Sequence, residues 1–154
     1  MDMIKSRNKK GLLEYYLAGQ PKYKSKVKSR LEEYEQLDLN FHCKTQFPDE
    51  YDSMFHVVNE SGGAKTGKAK MFQEKLKKRG RKAGVPDWHV MVPAHGYHGL
   101  YIELKREFKK DSSLPKPECE FLLMQQSRGY CCIVAYGFRA ALIAINDYLT
   151  GELN

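Results

Sequence analysis

The apolar positions of this chain change period several times, and each change marks an element. From about Val27 to Lys44, Leu31, Tyr34, Leu37 and Phe41 recur at spacings of three and four, which predicts an amphipathic helix. "QFPDEYD" breaks it, and "SMFHVVN", β-branched and aromatic, predicts a strand that runs into the polar, Gly-containing loop "NESGGAKTG". Helix formers closed by a Gly predict a second helix over about Ala69 to Arg79. "DWHVMV" and "GLYIELK" then alternate as two strands around the turn-rich "PAHGYHG". Pro117 opens a helix to about Arg128 that ends at Gly129, "YCCIVAY" is a continuous apolar run suited to a buried strand, and "FRAALIAINDYL" is a final, largely apolar helix. The order α-β-α-β-β-α-β-α, without internal repeat, predicts an α/β fold with a mixed central sheet covered by helices.

The first 25 or so residues show no sustained period. They are expected to form a basic N-terminal arm, residues 1–26, with a short helix at "GLLEYYLA", ahead of a single domain over residues 27–154. At 154 residues the chain suffices for one domain with a real core. No apolar run approaches the roughly 20 residues of a membrane span, and "MDMIKSRNKK" is not followed by the apolar stretch of a signal peptide, so a cytoplasmic protein without membrane contact is expected.

Charge sharpens the picture of the partner. Residues 1–30 hold nine Lys/Arg against only Asp2 and Glu14, so the whole net charge of +7 is formally N-terminal. A second basic segment, "KTGKAKMFQEKLKKRGRK", sets nine cations against Glu74. Two such segments suit a polyanion, and Lys65, Lys68, Lys70, Lys78, Arg79, Arg81 and Lys82 are candidates to contact nucleic-acid phosphates. A solvated charged face with a basic arm is the alternative. Cys43, Cys119, Cys131 and Cys132 form no CxxC pair and read as buried free thiols, with a metal site the minority reading; the five His lack a zinc spacing.

The strand pair carries the candidate chemistry. If its turn is centred near His95, paired residue numbers sum to about 190: Trp88 faces Ile102 and Val90 faces Leu100 on one apolar face. The same register sets Asp87 across from Glu103 on the other face, with Lys105 beside them. Opposed carboxylates repel, so compensation is required: protonation of one acid, Lys105 as counter-ion, or a divalent cation bridging both. A salt bridge at a sheet end is the purely structural alternative. Hard oxygen ligands with open water positions suit Mg²⁺.

At "GVPD" and "GLYIELK" the chain resembles the virus-type replication-repair nuclease family, VRR-NUC, of the PD-(D/E)xK nuclease superfamily. The wider frame adds specificity: "FHVVNESGG" before the motif, "YHGLYIELK" within it, then a helix, "RGY" and a terminal helix, over about residues 30–150. The resemblance implies a restriction-endonuclease-like core and a metal held by Asp87, Glu103 and the main-chain carbonyl of Leu104. Mg²⁺ is the expected cofactor, with Mn²⁺ substituting. Lys105 would position or activate the attacking water, or stabilise charge on the scissile phosphate. The family also brings an acid from its first helix. Among Glu32, Glu33 and Glu35, Glu32 is favoured here, with Gln36 four positions on along the same helical face. Where the family usually has a Gln after ExK, this chain has Glu118, which reads either as an additional site acid or, preferably, as an acid favoured by a helix N-terminus. Tyr97 and His98, in the turn, are candidates to touch substrate or to be idle.

The activity implied is metal-assisted hydrolysis of phosphodiesters by a DNA endonuclease selective for branched or junction DNA, in replication, recombination or repair in a bacterial or phage-infected cell. A homodimer would suit a symmetric substrate. The alternatives are a non-catalytic nucleic-acid-binding module on the same fold and an RNA-processing nuclease.

Overall fold

The computed structural model describes residues 2–58 and 66–153. Its centre is a six-stranded mixed sheet built from β1 (Met3–Arg7), β2 (Leu13–Leu17), β3 (Met54–His56), β4 (Trp88–Val90), β5 (Leu100–Lys105) and β6 (Cys131–Tyr136), in the order β1-β2-β6-β5-β4-β3. Strand β6 lies parallel to both β2 and β5, and the other pairs are antiparallel. Four helices flank it: α1 (Glu32–Gln46), α2 (Gly67–Lys78), α3 (Lys116–Ser127) and α4 (Phe138–Thr150). The mixed sheet covered by helices is therefore as the apolar periods predict.

The sheet buries both faces. Leu100, Ile102, Leu104, Ile133 and Ala135 join Trp88 and Val90 under α1 and α4, while Cys132, Val134 and Tyr136 pack with Cys119 and Leu122 of α3 on the other side. Alternation along β5 and β6 follows directly from the pleat. All four cysteines are buried free thiols, as expected, and burial pushes Cys43, Cys131 and Cys132 up to about 12. No helix among the described residues is long and apolar enough to cross a membrane.

Two expectations are corrected. The segment 1–26 contains no helix at "GLLEYYLA"; residues 3–17 form the β1–β2 hairpin and belong to the same sheet as the motif strands. Asn8 organises the turn, its side-chain oxygen accepting from the N–H of Lys10 (2.9 Å) and Leu12 (3.1 Å), with Gly11 in the left-handed region. Strand β2 hides its nature because it is interior: Glu14, Tyr15 and Leu17 are buried although they lie on both faces, so the alternation that identifies a strand is lost. Its partner β6 is more than a hundred residues away, and β1, at the edge, is too polar to signal itself.

Helix α1 begins at Glu32 rather than near Val27, and its patterned apolar residues face out. Tyr34, Leu37 and Phe41 are exposed, as is Leu31 just before the helix, whereas Glu35, Leu39 and Cys43 are buried at a spacing of four. Both stripes have helical periodicity; packing against α4 selects the second because Glu35 there finds partners for its charge.

Candidate active site

The register predicted for the strand pair is the one observed: Trp88 pairs with Ile102, His89 with Tyr101 and Val90 with Leu100. One step further, Asp87 stands across from Glu103, and two steps further Pro86 falls opposite Leu104. Proline has no N–H to offer there. Pro86 therefore gives the Leu104 carbonyl no donor, while the Leu104 N–H donates to Asp87 Oδ2 at 3.0 Å. The Lys105 carbonyl is turned the other way, accepting from Gly137 N–H at 2.8 Å beyond β6, so the Leu104 carbonyl faces the Asp87 side. Two carboxylates and one main-chain oxygen are thereby aimed at the end of β5.

Gly84 sets how this end meets α3. Its φ is +79°, and a Cβ there would lie 2.5 Å from the Pro117 carbonyl oxygen and 3.0 Å from the Glu118 nitrogen. Only glycine allows the loop to press onto the first turn of α3 this closely. That contact brings Glu118 to the motif: Lys105 Nζ lies 2.8 Å from Glu118 Oε2 and 2.7 Å from Glu103 Oε1. Glu118 is thus both an acid in the first turn of α3 and a partner of the site lysine.

The electrostatics are those of an unresolved excess of negative charge. Burial raises Glu103, and the facing Asp87 raises it further; burial likewise raises Asp87, opposed by Lys105 and the Leu104 N–H. Burial works against the Lys105 ammonium, but its ion pairs with Glu103 and Glu118 outweigh that and hold it above its ordinary range. Glu32, the first residue of α1, is pushed up to about 7 by burial and then by Asp87, so this acid does adjoin the motif. Glu35 does not: its carboxylate accepts from Arg30 Nε (2.7 Å) and from the Phe138 N–H (2.8 Å) that starts α4. Gln36 lines a cleft of about 420 Å³ with Glu33, Asn40, His56 and Trp88, and His56 Nδ1 lies 2.9 Å from the Asp87 carbonyl oxygen.

Among the described residues, no group of three His, Cys, Asp or Glu side chains converges as a metal cage. What the site has is a carboxylate pair, the outward-facing Leu104 carbonyl, and Glu103 Oε2, which is buried and has no hydrogen-bond partner. A buried carboxylate oxygen without a donor is costly. Mg²⁺ is commonly held by one or two carboxylates and keeps several waters, so this donor set fits it.

The other candidates are spread more widely. Lys68, Lys70, Lys78 and Arg79 are exposed on or just after α2, which buries none of its residues; Lys82 is exposed beyond it, and Arg81 bonds Gln73. Lys65 lies outside the described residues. Tyr97 and His98 sit at the opposite end of β5, about 20 Å of strand from Glu103, where Tyr97 packs against Tyr148 and His98 against Tyr130. Sequence reasoning overlooked Arg106 and Asp111, which bind the chain entering α1; the cation following ExK was the available signal.

No family model matches the sequence, and no curated protein matches it. Among solved structures, the chain is similar to one described as a VRR_NUC domain protein, with 26% identity, a TM-score of 0.67, and coverage of 80% of this chain and 92% of that one. This likeness supports the family resemblance carried by Pro86-Asp87 and Glu103-Leu104-Lys105, and with it the nuclease-like core.

Proposed function

We propose that the chain is a metal-dependent DNA endonuclease that hydrolyses phosphodiester bonds at the Asp87–Glu103 end of the sheet. The observation that carries this reading is the opposed carboxylate pair, with one buried Glu103 oxygen unpartnered and the Lys105 ammonium beside it. A nucleic-acid binder needs cations and gains nothing from buried Glu103 facing half-buried Asp87, whereas metal-assisted phosphodiester hydrolysis uses both cations and acids. The similarity to a VRR_NUC domain protein points the same way.

Asp87, Glu103 and the Leu104 carbonyl would hold a divalent cation of the Mg²⁺ type, Mn²⁺ substituting, which supplies Lewis acidity toward phosphate and water. Lys105, kept charged by Glu103 and Glu118, places a cation where a phosphate oxygen gains charge during attack. Glu32, close to neutrality in its titration, holds or releases a proton beside the pair. Exposed cations of α2 neutralise phosphates farther along the DNA, largely independently of sequence. Branched or junction DNA in replication, recombination or repair is the substrate class the resemblance favours, and a homodimer suits its symmetry.

The test is cleavage of duplex, nicked, flap, four-way and single-stranded DNA, with RNA alongside, in Mg²⁺, Mn²⁺ or EDTA. Metal-dependent cutting of DNA that is lost in Asp87→Ala and Lys105→Ala supports the reading. Cutting that survives both variants rejects the site, binding without cutting any substrate favours the non-catalytic module, and cutting of RNA alone reassigns the substrate.

A further inference from the structure

Residues 18–31 join β2 to α1, and all but the last two precede the segment that carries the family resemblance. Their sequence alternates: Lys22, Lys24, Lys26, Lys28 and Arg30 are separated by Tyr23, Ser25, Val27 and Ser29. This linker is clamped at both ends. Gln20 donates from Nε2 to the Glu107 carbonyl (3.2 Å), and its Oε1 accepts from the Lys109 N–H (2.9 Å). Lys110 donates to the Val27 carbonyl. The N–H and hydroxyl of Ser29 both donate to Asp111 Oδ2, at 2.7 and 2.9 Å, and Arg106 donates to the carbonyls of Ser29 and Arg30. Every one of these partners belongs to residues 106–111, the stretch immediately after Lys105.

The clamp consumes main-chain groups and serine, and it leaves the lysines outside. Lys22, Lys24 and Lys26 are exposed and make no ion pair among the described residues; Lys28 touches Asp111 only at 3.5 Å while remaining largely exposed. Arg30 is the exception, spent on Glu35 and Asp38. Tyr23 stands 86% exposed among the lysines, an aromatic face of the kind on which bases stack. The segment then delivers the chain to Glu32, beside Asp87 and Lys105. A loose basic tail would attract a polyanion from any direction. Cations on a backbone that closes one turn, Ser25 N–H to the Lys22 carbonyl at 2.8 Å, and is anchored at both ends to the loop behind the site instead meet it from fixed places.

We infer that residues 22–28 form a fixed rail for a DNA strand, in which Lys22, Lys24, Lys26 and Lys28 contact successive stretches of backbone and lead it to Glu32, Asp87 and Glu103. This rests on reading that site as one that acts on DNA, and the test keeps the two separable. Binding is measured in EDTA on an Asp87→Ala background, so that no cleavage enters. Replacing Lys22, Lys24 and Lys26 together by Ser flattens the slope of log affinity against log salt by about 2.1 for single strands and about 2.7 for duplex, the release of three counter-ion contacts. An unchanged slope overturns the rail whether or not the protein cuts. Because the four native cysteines are buried, Lys24→Cys carries one accessible thiol for a photo-crosslinker. Crosslinks confined to a few nucleotides on one side of a branch point support a rail, and crosslinks spread evenly along the strand overturn its fixed line. If the slope falls while the wild type cuts nothing in Mg²⁺ or Mn²⁺, the rail stands and the nuclease reading falls; if the wild type cuts and the triple variant keeps slope and KM, the reverse holds.

Discussion

Glu35 of α1 and Glu103 of β5 are both buried acids, and their surroundings differ in how completely the charge is answered. Glu35 receives two hydrogen bonds from Arg30 and a third from the Phe138 N–H, so both its oxygens are occupied and the exposed start of α4 is capped at the same time. Glu103 has Lys105 on one oxygen, nothing on the other, and Asp87 opposite. A satisfied buried charge ties elements together. One left half-answered, against a like charge, is a place where the fold carries an electrostatic cost and a ligand can relieve it.

The largest effect expected from breaking this contrast is at Glu35. Glu35→Ala leaves the Phe138 N–H at the start of α4 without its acceptor and the half-exposed Arg30 with Asp38 alone, at a cost of about 1–3 kcal/mol, readable in urea or thermal melts. A loss under 1 kcal/mol would show that Glu35 does not hold α1 to α4. Glu103→Gln is expected to do the opposite, costing cleavage on the order of 10²–10³-fold while leaving the EDTA melting temperature equal or higher, since a repelling charge is gone. A variant that both cuts and melts like the wild type removes Glu103 from the site.

Gly84→Ala tests how the motif loop meets α3. The left-handed φ alone predicts a loss of about 1–2 kcal/mol, and the clash with the Pro117 carbonyl adds to it, together with a higher metal requirement for cleavage, because Asp87 and Glu118 are displaced relative to each other. Unchanged stability and cleavage would mean the loop need not approach α3 so closely.

The pH dependence follows from the sign of the shifts. Glu103 and Glu32 bind their protons more tightly folded than unfolded, so their contribution is complete below their ordinary carboxylate range and is lost as pH rises, for Glu32 through about 7. Lys105, raised above its ordinary value, loses its contribution only in strong alkali. Wild type without metal should therefore lose melting temperature relative to Glu103→Gln between pH 5 and 8, and Mg²⁺ should restore more of it at the upper end. A difference that stays flat or reverses would contradict the raised carboxyl. The smallest effect belongs to the outer stripe of α1: Leu37→Ser and Phe41→Ser should each stay within about 0.5 kcal/mol, and a larger loss would mean that this stripe is buried in solution.

The motif strands were legible because a two-residue period leaves a single choice. Once Trp88, Val90, Leu100 and Ile102 are placed inward, Asp87, Glu103 and Lys105 must share the other face. Helix α1 offered two stripes of equal period, and the sequence could not rank Tyr34, Leu37 and Phe41 below Glu35, Leu39 and Cys43 without knowing that Arg30 and the start of α4 would meet Glu35. Glu32 was reachable by its place on the helix; the clamp of residues 20–30 onto 106–111 was not, because its bonds span 76 to 89 positions and use main-chain atoms that carry no sequence signature.

Composition and local period by themselves determined the mixed α/β core, the buried thiols, the basic segments and the opposition of Asp87 and Glu103, each of which depends on neighbours within a strand or one turn. Only the tertiary structure decided that residues 3–17 complete the sheet, which face of α1 is inside, that Glu118 reaches Lys105 where the Gly84 loop presses on α3, and that the linker is anchored at both ends. Those outcomes depend on which distant groups meet a charge or an open strand edge, and free energies of that kind exist only once the chain has closed on itself.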